Sequence, residues 1–100
     1  MHVVIFRSTR LNQYEDLYRI WSEKMGNLVM RQPGYQSHFS FRDNENGQGV
    51  TVSYFDSEES IKRWQLNADH VEAQIFGRTH FYESFVVDVA EVKRHYIWRK

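Results

Sequence analysis

The chain has 100 residues, which suits one domain, and 13 Lys+Arg balance 13 Asp+Glu, so its formal net charge is zero. A nucleic-acid binder or anionic-membrane ligand draws its affinity from a basic excess, and that excess is missing. With no cysteine, disulfide scaffolds, thiolate metal sites and cysteine nucleophiles are excluded.

Val3 to Phe6 is β-branched and aromatic and reads as a strand, its continuous apolar run predicting cover on both faces. The run is too short for a signal peptide or a membrane span, so a cytoplasmic location is expected. Ser8 to Asn12 reads as a polar connection. From Gln13 to about Arg31, Tyr14, Leu17, Tyr18, Trp21, Met25, Leu28 and Val29 fall on one helical stripe. The helix must stop before Pro33, because the residue preceding a proline is pushed out of the α region.

Tyr35 to Arg42 alternates and predicts a second strand. Tyr35, Ser37, Phe39 and Phe41 face one way; Gln36, His38, Ser40 and Arg42 face the other. Residues 43–49 form a hairpin loop with Asn46-Gly47 as its turn signal. Val50 to Phe55 is the third strand. Asp56 or Ser57 then caps a helix carrying Ile61 and Trp64, and Asn67-Ala68-Asp69 offers a second cap for a helix from about His70 to Gly77. Phe81 to about Tyr96 reads as one long last strand.

This order predicts a single α+β domain, 1–100, of the ferredoxin-like βαββαβ type with an antiparallel sheet. One sheet face is covered by helices. No further helix remains for the other, and face-to-face packing of two copies through Tyr35, Phe39 and Phe41, or their opposite-face neighbours, would cover it. Aromatics make up 16% of the chain, more than a core this small needs, which points to a dimer interface, a ligand pocket or both.

Three stretches carry a family resemblance. They are the opening strand Val3-Val4-Ile5-Phe6-Arg7-Ser8-Thr9, the turn Gln32-Pro33-Gly34-Tyr35 after a long amphipathic helix, and the block from Val50 to Trp64 followed by His70-Val71-Glu72-Ala73-Gln74. With Phe81-Tyr82-Glu83-Ser84-Phe85, they make the chain resemble the antibiotic biosynthesis monooxygenases, a family of dimeric α/β barrels. The resemblance implies a homodimer with a pocket between each protomer's sheet and helices. It also implies cofactor-independent oxidation of a small aromatic or quinone-like molecule, without metal or flavin. A non-catalytic dimeric small-molecule-binding module is the alternative. The haem-degrading branch is less well matched: its helix tryptophan is present as Trp64, but its histidine position holds Gln74 and its first-strand asparagine is missing.

Oxygenation without a cofactor needs a proton acceptor and a dry pocket for the resulting anion. His70, His38 and Trp64 are the candidates for catalysis. His70 would be a base at a helix N-terminus or merely a solvent-facing cap. His38 would be a pocket base if it faces the helices and an interface residue if it faces a partner. Trp64 would stack on an aromatic substrate or simply fill the core. Arg7, Tyr18, Trp21, Tyr54, Gln74 and Tyr82 are the candidate substrate-binding residues, each with an ordinary strand or helix-face role beside it. His80 reads as a surface or interface residue. No histidine pair has metal-ligand spacing beside a carboxylate, so no metal site is expected, and the resemblance implies that no cofactor is needed. Residues 47–54 faintly resemble a strand of RNA-recognition modules, but zero net charge and Thr51 and Ser53 on one strand face argue against that.

Overall fold

A computed structural model describes the backbone of residues 1–100 and the side chains of all but Ala68. The elements run β1 (His2–Arg10), α1 (Glu15–Val29), β2 (Tyr35–Arg42), β3 (Gln48–Phe55), α2 (Glu58–Leu66), α3 (Ala68–Phe76), one π-helical turn (Gly77–Phe81) and β4 (Tyr82–Glu91). The four strands form one antiparallel sheet in the order β2-β3-β1-β4. This is the ferredoxin-like arrangement, with β1 at the centre and β2 and β4 at the edges.

Register fixes which residues share a face. β1 places Val4 opposite Ser53 and Val89, Phe6 opposite Thr51 and Val87, and Ser8 opposite Gly49 and Phe85. Facing residues in antiparallel pairs project to the same side. Val4 packs on the core of Val29, Phe55, Ile61 and Trp64, so this is the helix-facing side. Met25 and Leu28 of α1 and Tyr35 of β2 close that core. Phe55 and Ile61 are its fully buried members. The other face carries Ile5, Val52, Phe39, Phe41 and Val86, and among the described residues no helix lies on it.

Four expectations are corrected. Ser8 to Arg10 belongs to β1 and not to a connection, because both neighbouring strands supply ladder partners that far. β2 carries a register shift between Tyr35 and Ser37, so Tyr35 joins His38, Ser40 and Arg42 on the helix side while Ser37, Phe39 and Phe41 stay opposite. Tyr35 is thus a core residue. β3 starts two residues earlier than expected, at Gln48. β4 ends at Glu91: Phe81 closes the π turn, and the chain after Val92 runs unpaired once Val92 N–H has reached Met1 C=O at 3.0 Å.

Ser57, with extended backbone, caps α2 by accepting from Ser60 N–H at 3.1 Å. Ser60 Oγ in turn donates to Asp56 at 2.6 Å, and this hydrogen bond is the main reason the Asp56 carboxyl titrates below its ordinary range. Asn67 caps α3 by accepting from Asp69 and His70 N–H. Ser57→Ala is expected to lower unfolding free energy by about 1 kcal/mol, read from urea denaturation, with no change of fold in the circular dichroism spectrum.

Candidate functional site

The helix side of the β2–β3 half of the sheet is an uncommon surface for a core. β2 contributes His38, Ser40 and Arg42, β3 contributes Thr51 and Gly49, and β1 contributes Phe6 and Ser8. α1 roofs this row. Its Tyr18 stands over the Arg42 end, and a β-carbon at Gly26 would lie 4.0 Å from His38 Nε2. Ser40 and Thr51 bond through their hydroxyls at 2.7 Å, and Ser40 stays exposed, so the row is open to solvent along the β2 edge.

At one end, Arg42 Nη2 donates to Tyr18 OH at 2.8 Å and lies 3.5 Å from Ser8 Oγ, while Nη1 holds Gly47 C=O at 2.8 Å. Gly49 makes this possible, since a β-carbon there would meet the guanidinium at 2.9 Å. No described carboxylate pairs with Arg42. A second guanidinium, Arg10, stacks 3.7 Å above the Tyr18 ring and reaches Glu15 at 3.2 Å, its side chain only 4% exposed. Phe81 and Tyr82 meet Tyr18 edge-on, and Phe6 packs against Tyr82 and Phe85. Burial, reinforced by Tyr18, pushes the Tyr82 phenol well above the ordinary tyrosine range, so it remains a donor at any physiological pH. Arg42, Tyr18 and Ser8 therefore converge as donors in an aromatic-walled corner, a composition suited to an anionic oxygen on a flat ring.

At the other end, His38 Nδ1 bonds Tyr35 OH at 2.7 Å. The helix-facing alternative for His38 is the one the structure shows. Consecutive same-face strand residues lie about 7 Å apart, which places His38 and Arg42 about 13 Å apart along β2, with Ser40 between.

The remaining candidates are dispersed. Trp64 is buried in the core, and His70 stacks on it at 3.9 Å with Nδ1 2.9 Å from Trp64 C=O. A carbonyl only accepts, so Nδ1 carries the proton of a neutral imidazole. His70 is thus neither solvent-facing nor a mere cap. Gln74 approaches it at 3.4 Å. Trp21 stacks on Phe76, tying α1 to α3. His80, within the π turn, is half-buried and stacks against Phe76 at 4.2 Å. Arg7 and Tyr54 project from the uncovered sheet face, because strand parity puts them opposite Phe6 and Phe55. Arg7 is exposed and pairs loosely with Asp88 at 3.5 Å, so neither residue lines a sheet–helix space. Arg42, Ser8 and Thr51 were not singled out by the sequence. Their signal is the Asn46-Gly47 turn, which sets Arg42 opposite Gly49.

A cavity of about 440 Å³ between α1 and α3, lined by Ile20, Glu23, Lys24 and Asp69, holds none of these candidates. Among the described residues no three His, Asp or Glu come together to hold a metal ion, and no helix is long and apolar enough to cross a membrane.

Burial pushes the His70 imidazole below its ordinary value of 6.5, against the hydrogen bond to Trp64 C=O. The unfolded chain then takes up this proton first on acidification. Stability from a neutral His70 is present above pH 6.5 and is lost as pH falls from there through the folded value. Thermal melts are expected to drop between pH 7 and 5 more steeply for the native chain than for His70→Phe, which keeps the stack and cannot protonate.

No protein-family model matches the sequence. The uncharacterized protein YqjZ of Bacillus subtilis is 35% identical over 99 residues, spanning 99% of this chain and 85% of YqjZ. Among solved structures, Rv0793 of Mycobacterium tuberculosis superposes with a TM-score of 0.82 at 13% identity, covering 94% of this chain and 96% of that one. A crystal structure of an antibiotic biosynthesis monooxygenase gives 0.82 at 12% identity over 94% and 100%. SnoaB of Streptomyces nogalater, a cofactor-independent oxygenase, gives 0.78 at 12% identity over 94% of each chain. The chain belongs to the same family as YqjZ, and its fold is that of the antibiotic biosynthesis monooxygenase domain.

Proposed function

We propose that this protein is a cofactor-independent oxygenase for a small hydroxyaromatic or quinone-like molecule held between α1 and the β2–β3 half of the sheet. The observation that carries the reading is the clustering of Arg42, Tyr18 and Ser8, joined through the Arg42 guanidinium, in an aromatic-walled corner. SnoaB, which shares the fold, is a cofactor-independent oxygenase.

In this reading the three donors hold the phenolate or enolate oxygen, and the ring lies along Ser40 and Thr51 toward His38. The His38 imidazole takes the proton of an activated C–H. The resulting carbanion passes electrons to O₂ and a C–O bond forms, giving a hydroperoxide. Loss of water from it leaves a new C=O, so each molecule oxidised consumes one O₂ and releases one H₂O. Positioning and anion stabilisation are all the protein supplies, since the substrate is itself the reductant. The uncovered face packs against a second copy, giving a homodimer.

Oxygen uptake with a panel of anthrones and hydroquinones, with EDTA present and no added flavin, tests this. Stoichiometric uptake that depends on the protein is expected. A second reading, a non-catalytic binding module, is favoured by the exposure of Ser40, which leaves the row wet. Saturable binding of the same compounds with no uptake above the protein-free rate would select that module over the oxygenase.

A further inference from the structure

Tyr35 and His38 lie three residues apart on β2, a spacing that puts side chains on opposite faces of a regular strand. They meet because the strand shifts register between Tyr35 and Ser37, where Gln36 has no ladder partner on β3. An extra residue of this kind disrupts the ladder locally and re-aims the side chains beside it. Here it brings the Tyr35 hydroxyl to 2.7 Å from His38 Nδ1.

Tyr35 is the fixed partner of the two. Its ring meets the fully buried Phe55 edge-on at 6.2 Å and packs on the core, and its N–H bonds Gln32 C=O at 3.2 Å. His38 is half-buried, and its Nε2 has no hydrogen-bond partner among the described residues. The neighbour of Nε2 on α1 is Gly26, where a β-carbon would lie 4.0 Å away. Glycine inside a helix is unfavourable relative to alanine. At this position it keeps the space beside Nε2 clear.

A neutral imidazole carries one proton, and the bond made by one nitrogen decides which of the two holds it. With the proton on Nδ1, Tyr35 accepts and Nε2 is a free lone pair. With the proton on Nε2, Tyr35 donates and no base faces the space under α1. The two arrangements are not equivalent. An Nε2–H would find no described acceptor and is fixed in the plane of the ring, whereas the hydroxyl proton of Tyr35 rotates about its C–O bond. An unpaired N–H is also costlier than an unpaired acceptor.

We propose that Tyr35 is a positioning residue that accepts from His38 Nδ1–H, and that the Nε2 lone pair so freed beside Gly26 is the atom that takes the substrate proton. This rests on the oxygenase reading and gives its base an orientation. Tyr35 acts through His38 and not on the substrate.

Long-range ¹H–¹⁵N spectra of histidine-labelled protein in mildly alkaline buffer, with His38 assigned by His38→Gln, read the tautomer directly. The native ring is expected to be protonated at Nδ1. Tyr35→Phe keeps its ring against Phe55, and there His38 is expected to shift to the Nε2–H form that a free neutral imidazole favours in water. Its kcat for oxygen uptake should fall roughly tenfold with KM unchanged, about the value of one hydrogen bond. Gly26→Ala is expected to raise the melting temperature and keep the Nδ1–H form, yet to slow the acylation of His38 by diethyl pyrocarbonate, which attacks an unprotonated ring nitrogen. A native ring protonated at Nε2, or an unchanged tautomer in Tyr35→Phe, overturns the positioning role. Unslowed acylation in Gly26→Ala overturns the access beside Gly26. Neither the spectra nor the acylation needs turnover, so a lack of oxygen uptake would remove the oxygenase reading without touching these results.

Discussion

Arg42→Gln is expected to lower kcat/KM for oxygen uptake about a hundredfold, with most of the loss in kcat. Glutamine keeps a neutral donor but removes the charge facing the developing oxyanion, and the loss of one such preorganised donor costs on the order of a hundredfold or more. The effect should not be a folding effect. Arg42 sits on an edge strand, and its two close partners, Gly47 C=O and Tyr18 OH, belong to half-buried residues, while the buried Ser8 hydroxyl lies only at 3.5 Å. Arg42→Lys should restore part of the rate, since lysine returns the charge without the planar fork. Tyr18→Phe should cost roughly tenfold, consistent with one lost hydrogen bond to a charged group. Equal rates in Arg42→Gln and the native chain would remove the donor corner from the mechanism.

Gly34→Ala is expected to destabilise the fold by about 3 kcal/mol, the sum of a backbone and a steric cost. Gly34 has φ +85°, a left-handed conformation that an L side chain resists. A β-carbon there would also overlap Ser60 Oγ and Asp56 Oδ1, the pair that sets the start of α2. Relief is difficult because Gly34 C=O accepts from Asp56 N–H at 2.8 Å, tying the turn to the end of β3. The α1–β2 turn and the β3–α2 turn are therefore one packed joint beneath the core residue Phe55. A loss below about 1 kcal/mol in urea denaturation would show that this joint can rearrange. Ser60→Ala combined with Gly34→Ala should recover part of the loss, because it removes one of the two clashing oxygens.

How much of this was legible in the sequence depends on what each residue's neighbours decide. Asn46-Gly47 is read correctly because a tight hairpin is local chemistry, and β2 is bounded correctly because Pro33-Gly34 and Asp43 punctuate it. Ser8, Thr9 and Arg10 looked like a loop because polarity alone cannot show that two strands flank them. The register shift after Tyr35 is a single extra residue, invisible to alternation, yet it moves Tyr35 from a supposed interface into the core. Trp64 and His70 drew attention as pocket residues for their chemistry, and the structure uses them on each other, stacked over the core. Arg42 was placed on the His38 face of β2, but strand alternation alone gives it no partner. Its role depends on the empty position of Gly49 across the ladder and on Tyr18 from a helix 24 residues away in sequence.

The central claim is that ligand chemistry belongs to the His38–Arg42 row and not to the Trp64–His70 pair. Titration of ¹⁵N-labelled protein with a hydroxyaromatic acid under nitrogen, followed by amide and side-chain shifts, tests it without turnover. The account predicts the largest shifts at Tyr18, Ser40, Arg42 and Thr51, including the Arg42 Nε–H, with Trp64 and its indole N–H nearly still. Shifts centred on Trp64, His70 and Gln74, with Arg42 unmoved, would contradict it.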